Sequence, residues 1–203
     1  MNSLNEVPNY NIKLTDRVAF YGKTGSGKTL LAMSFSLMFP RIIIVDTKRD
    51  LSGWNTENYS SKTAKLLSKD SFRIRVMNLN DTYNLINFIL AKHIDCVVII
   101  DEIVNMRNDD TDCLERLWKT GRGLGIGAWG LSQRPKAIPV FYTSEAEHFF
   151  IFRLNMRDDR KRVSEYTKEV VTDITLKNHS FLYYNSNSEI LVKYNNGLNL
   201  RID

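Results

Sequence analysis

Short apolar runs, separated by polar stretches, divide the chain into alternating strands and helices. Residues 17–21, 41–45 and 95–100 become almost continuously apolar after a polar first residue, the pattern of strands buried on both faces. Residues 72–77 alternate, and 127–131 and 148–154 form two further strands. Residues 28–39 are apolar nearly all round, as in a helix sandwiched against a sheet, and Pro40 stops them. Asp81 is placed to cap a helix carrying Leu85, Ile86, Ile89 and Leu90 on one face. Another helix ends near Thr120, and Val163, Tyr166, Val170 and Val171 mark an amphipathic one. Residues 46–69 are a long polar excursion with a short helix near 61–67. Segments 180–184 and 189–194 pair as a C-terminal β-hairpin about 185–188. Strands alternating with helices predict an α/β fold with a mainly parallel central sheet and helices on both faces.

Composition narrows this picture without redirecting it. The 203 residues, 43% of them hydrophobic, suit a single domain over 1–203. No apolar run approaches the ~20 residues of a membrane span, and residues 1–8 lack a signal-peptide pattern. The expectation is therefore a protein kept inside a cell. Cys96 and Cys113 form no C-x-x-C, and His93, His148 and His179 are scattered without metal-ligand spacing, so each reads as a packing or surface residue. A formal charge of +5 leans mildly toward polyanionic partners.

The chemistry starts between the first strand and the first helix. Gly22, Lys23, Thr24, Gly25, Ser26, Gly27, Lys28 and Thr29 spell G-x-x-x-x-G-K-T in the setting that a phosphate-binding loop requires. Gly22, Gly25 and Gly27 let successive N–H groups turn inward toward phosphate oxygens, and the helix adds its positive end. Lys28 supplies a charge for the β- and γ-phosphates, and the Thr29 hydroxyl is a ligand for Mg²⁺. The run 97–100 delivers Asp101 and Glu102 to the carboxyl end of a central strand, where ligands of open parallel sheets bind. Asp101 is placed on the metal side, and Glu102 to polarise a water for attack on the γ-phosphate; the plain alternative is a helix cap and a solvated carboxylate. Gln133 ends the next strand, as a γ-phosphate sensor, a water-orienting amide or a polar terminus. Arg122 is an arginine finger offered to a neighbouring subunit or a basic turn residue. Residues 123–128 fit a loose dinucleotide pattern, but after a helix and before a strand, the wrong order for that function.

These pieces resemble the FtsK–HerA superfamily of DNA-pumping ATPases, specifically its viral genome-packaging branch. The likeness rests on the loop at 22–29, Ile100-Asp-Glu102, Thr120-Gly-Arg-Gly123, Ser132-Gln-Arg134 and the strand around 150–154, and spans about 18–166. It implies a RecA-like ASCE P-loop NTPase that uses ATP and Mg²⁺ to move double-stranded DNA through a homo-oligomeric ring, a hexamer, into a capsid. In that reading Lys28 and Thr29 hold nucleotide and metal, Asp101 is the metal-side carboxylate, Glu102 the base, Gln133 the sensor and Arg122 the finger given in trans. The resemblance also implies action in the host cell cytoplasm, at the procapsid, with portal-vertex proteins as partners. DNA contacts would be to the backbone and indifferent to sequence; Lys48, Arg49, Lys62, Lys65 and Arg107 are candidates. Tyr183 and Tyr184 are candidates for stacking on the base. Rival functions are a nucleoside or nucleotide kinase with residues 157–162 as a phosphate-gripping lid, a protein-remodelling motor, and a non-viral HerA-type DNA pump.

Overall fold

Alternate residues of each central strand feed two separate cores. Ile43 and Val45 face one side of the sheet, and Ile42 and Ile44 the other. Cys96, Val98 and Ile100 divide from Val97 and Ile99 in the same way. A strand buried on both faces needs cover on both, and the helices supply it. In a computed structural model, residues 10–51, 54–60, 63–106, 111–167 and 176–194 are described.

The strands are β1 (Arg17–Tyr21), β2 (Arg41–Val45), β3 (Glu57–Asn58), β4 (Phe72–Val76), β5 (Cys96–Ile100), β6 (Ile126–Ser132), β7 (His148–Phe152), β8 (Phe181–Asn185) and β9 (Ile190–Tyr194). They form one sheet in the order β3-β4-β2-β5-β6-β1-β7-β8-β9. Pairing is parallel from β3 through β7 and antiparallel from β7 to β8 and β8 to β9, so the expected hairpin closes one edge. Helix α1 (Lys28–Ser36) packs Leu31, Ala32 and Met33 on one face. On the other lie α2 (Leu79–Lys92), α3 (Thr111–Thr120), α4 (Val140–Ser144) and α5 (Arg157–Ser164), through Ile86, Ile89, Leu117, Trp118, Tyr142 and Val163.

Several expectations shift. The first helix stops at Ser36, not Phe39, and residues 37–38 continue as a turn. Asn78, not Asp81, caps α2: its Oδ1 accepts the Asp81 N–H at 2.8 Å, and Asp81 sits in the first turn, where a carboxylate favours the helix dipole. The short helix expected near 61–67 is a 3-10 turn at Thr63–Ser68. The late amphipathic helix lies earlier, at Arg157–Ser164, with Tyr166 beyond its end; Val170 and Val171 fall outside the described residues.

Buried Arg17 ties the amino ends of the strands together. Its guanidinium donates to the carbonyls of Leu117, Trp118, Ile126 and Thr15. Burial and the neighbouring Arg122 lower its pKa to about 10, so it stays charged at neutral pH. His148, at the start of β7, is a packing residue: its ring bonds Tyr183 Oη at 2.8 Å and Asp16 Oδ2 at 3.0 Å.

Candidate active site

Because β6 runs between β1 and β5, the carboxyl ends of these three strands stand side by side. The loop at Gly22, Asp101-Glu102 and Gln133 leave the sheet in one row. The phosphate loop is fixed from two sides, by the Gly22 N–H donating to Ser132 O at 3.1 Å and the Lys23 N–H to Arg153 O at 3.0 Å. A Cβ at Gly22 would lie 2.6 Å from Phe152 Cβ and 2.7 Å from Ser26 Oγ, so glycine alone lets the loop pass β7 this closely. Gly27 caps α1 with a φ of 99°, a left-handed conformation that favours glycine. Ser26 Oγ is buried without a hydrogen-bond partner among the described residues, a donor of the kind a phosphate oxygen would satisfy.

Thr29 opens α1 opposite the end of β5, and its Oγ1 donates to Asp101 Oδ1 at 3.2 Å. Hydroxyl and carboxylate oxygens side by side at a phosphate loop are the hard donors that Mg²⁺ selects, so the residues present fit that ion. Among the described residues no cluster of three or more His, Cys, Asp or Glu side chains offers another metal site. Burial pushes the Asp101 carboxyl up, with Lys28 and the Thr29 hydroxyl opposing. Burial also lowers the Lys28 amine, with Asp101 and Glu102 opposing.

Glu102 is held from three directions. The Gln133 N–H donates to Oε1 at 3.2 Å, Gln133 Nε2 to Oε2 at 2.8 Å, and Lys48 Nζ to Oε2 at 3.2 Å. Its backbone is left-handed, with φ 53°, a strained position for a non-glycine residue and one that clusters at functional sites. Gln133 in turn accepts from Thr24 Oγ1 at 2.7 Å, which joins the phosphate loop to the glutamate.

Lys28, Thr29, Asp101, Glu102, Thr24 and Gln133 therefore come together as the sequence predicts. Arg122 does not join them within one chain. It lies before β6, at the opposite end of the sheet, where it pairs with Glu147, whose other oxygen accepts the Arg17 N–H at 2.7 Å. Lys48 faces Glu102, a role the sequence reading missed. Asp46 fixes the turn that carries Lys48, by accepting the N–H groups of Asp50 and Leu51 and pairing with Arg75. Tyr183 and Tyr184 are buried in β8 and are not free to stack on a base, which corrects that expectation. His179, exposed beside the loop, is a second residue missed: a Cβ on Gly27 would lie 3.2 Å from its Nδ1. Arg49 and Lys65 are exposed, and Lys62 and Arg107 fall outside the described residues.

This fold recurs in solved structures. The genome-packaging NTPase of Sulfolobus turreted icosahedral virus 2, in complex with AMPPCP, is 21% identical with a TM-score of 0.75, covering 90% of this chain and 98% of that one. The chain has the fold of that NTPase. The DNA-packaging ATPase of Sulfolobus turreted icosahedral virus shares that fold at 20% identity and a TM-score of 0.66, over 88% of this chain and 96% of its own. The conjugation coupling protein TcpA, in its monomer form with an ATP analogue, carries it within a longer chain, at 15% identity and a TM-score of 0.65, over 89% of this chain and 60% of that one. No protein-family profile and no curated protein sequence matches. No described helix is long and apolar enough to cross a membrane.

Proposed function

We propose that the protein is an ATP hydrolase of the FtsK–HerA type that drives double-stranded DNA into a viral capsid. The observation that carries this reading is the Thr24–Gln133–Glu102 chain beside the Thr29–Asp101 pair. It links the loop that would grip a triphosphate to a carboxylate set to take a proton from water. Packaging as the task is supported by similarity to an NTPase with that function over nearly its whole length.

The loop amides, Ser26 and Lys28 bind the triphosphate and neutralise its charge. The Thr29 hydroxyl and the Asp101 carboxylate would hold Mg²⁺, which would supply further stabilisation of the phosphate charge. Glu102 accepts a proton as water forms a bond to the γ-phosphorus and the bond to the β-phosphate oxygen breaks, leaving ADP and phosphate. Three donors from Gln133 and Lys48 engage Glu102, two of them on Oε2, which leaves an acceptor position on Oε1 for the water. Gln133 is suited to exchange the glutamate for the γ-phosphate and so report nucleotide to the rest of the molecule. The ring, with DNA in its channel, would act in the host cytoplasm at the procapsid and meet portal-vertex proteins.

The test is the rate of phosphate release with and without double-stranded DNA across a salt series. Stimulation that weakens steeply with salt is expected. Dependence on a nucleoside acceptor instead would identify a kinase and overturn the reading.

A further inference from the structure

The basic segment at 157–162 is not a hinged lid. It is helix α5, bound on both sides to the candidate active site. Asp159, only 1% exposed, accepts Arg134 Nε at 3.0 Å and the Lys136 N–H at 3.1 Å. Arg134 directly follows Gln133, so this carboxylate grips the strand end that carries the sensor. Arg160 Nη1 donates to Leu154 O at 2.9 Å and Asn155 O at 3.0 Å. That turn follows Arg153, whose carbonyl accepts the phosphate-loop N–H of Lys23. One short helix thus holds both the phosphate loop and the sensor strand through buried or half-buried polar groups.

Its outer face is cationic. Asp159 and Val163, four residues apart, are buried, while Arg157 and Lys161, also four apart, share the exposed side. Neither makes a close ion pair among the described residues, although both lie in the field of exposed Asp158, which Lys136 pairs with; Arg153 is likewise exposed and makes no ion pair there. Other cations of this region are engaged: Lys136 with Asp158, Arg134 with Asp159, and Arg162 with Glu165. Cations used only for solubility have no need of a helix anchored to both halves of a nucleotide site.

We infer that the exposed face of α5, through Arg157 and Lys161, grips the phosphodiester backbone of double-stranded DNA. Asp159 is the positioning residue that ties this grip to Gln133. The inference rests on the packaging reading and assigns its DNA contact. Nucleotide-dependent movement at Gln133 is passed to α5 through Arg134 and Lys136, and strain on α5 returns to the phosphate loop through Arg160.

The experiment measures duplex binding across a salt series, together with basal and duplex-stimulated hydrolysis, on the full chain. Arg157→Glu/Lys161→Glu is expected to keep basal hydrolysis and lose about tenfold or more in duplex affinity, with the slope of log K against log salt shallower by about 1.8. Asp159→Asn is expected to bind duplex and nucleotide separately but lose stimulation. If that variant does not fold, Arg160→Ala severs the second link and should show the same loss. If the wild-type chain fails to bind duplex, the packaging reading falls first. If the wild type binds and the double variant binds equally well with an unchanged slope, only this inference falls. Loss of basal hydrolysis in the double variant would assign the cations to the nucleotide of a neighbouring copy and overturn it too. Full stimulation in Asp159→Asn and Arg160→Ala would remove the coupling.

Discussion

Burial alone would push the Asp101 carboxyl up and the Lys28 amine down, and both groups move that way although each lies in the other's field. Desolvation outweighs attraction at both groups. A carboxyl whose pKa is raised on folding stabilises the folded state at low pH, and loses that contribution as pH rises through its folded value. Asp101→Asn is therefore expected to raise the Tm of the nucleotide-free protein at neutral pH, while Mg²⁺-dependent hydrolysis is lost. The gain should shrink as pH falls into the carboxylate range; thermal scans across pH check this, and a lowered Tm at neutral pH would contradict it. Lys48 poses the complementary case. Its ammonium is one of three donors that occupy Glu102, so Lys48→Met should leave a more accessible base. A net hydrogen bond of about 1 kcal/mol corresponds to a rise of about fivefold in DNA-independent phosphate release. A fall instead would make Lys48 an assistant to the reaction.

At the scale of elements, the site depends on how closely the loop after β1 passes β7. Gly22→Ala would drive a methyl group against Phe152 Cβ, a backbone-proximal atom that cannot swing away. The expected cost is about 1–3 kcal/mol in stability, with weaker nucleotide binding read by calorimetry; unchanged affinity would mean the loop relaxes freely. This part was legible in the sequence, since an apolar strand, a glycine-rich turn and an apolar helix are local signals. The row formed by Asp101, Glu102 and Gln133 was legible for the same reason, because each ends a buried run. α5 was misplaced because Val163 is its only buried apolar side chain and its anchor is the carboxylate of Asp159, to which hydrophobic periodicity is blind. α4 and the two-residue β3 are too short to carry a period. Lys48 read as a DNA contact because its partner, Glu102, lies 54 residues away, and only the fold joins them.

For the whole molecule, the telling position is that of Arg122. The seven residues of β6 separate it from Gln133, a span of about 23 Å at 3.3 Å per residue, so it cannot reach the nucleotide of its own chain. A ring built from head-to-tail interfaces sets one face of a subunit against a different face of the next, and that arrangement can bring Arg122 to a neighbour's γ-phosphate. Its pairing with Glu147, which also accepts the Arg17 N–H, holds the guanidinium on the amino edge while leaving the side chain 52% exposed. Arg122→Ala should then lower hydrolysis by about 10³-fold or more, as loss of a finger does, without loss of nucleotide binding. Glu102→Gln should likewise bind and fail to turn over. Mixed in equal amounts and reassembled, the two inactive chains should recover activity, because about a quarter of randomly formed interfaces would join an intact Glu102 to an intact Arg122. Phosphate release from the mixture, compared with each variant alone, decides the matter. With no recovery in verified mixed rings, Arg122 is left as a partner for Glu147 and the finger must be sought elsewhere.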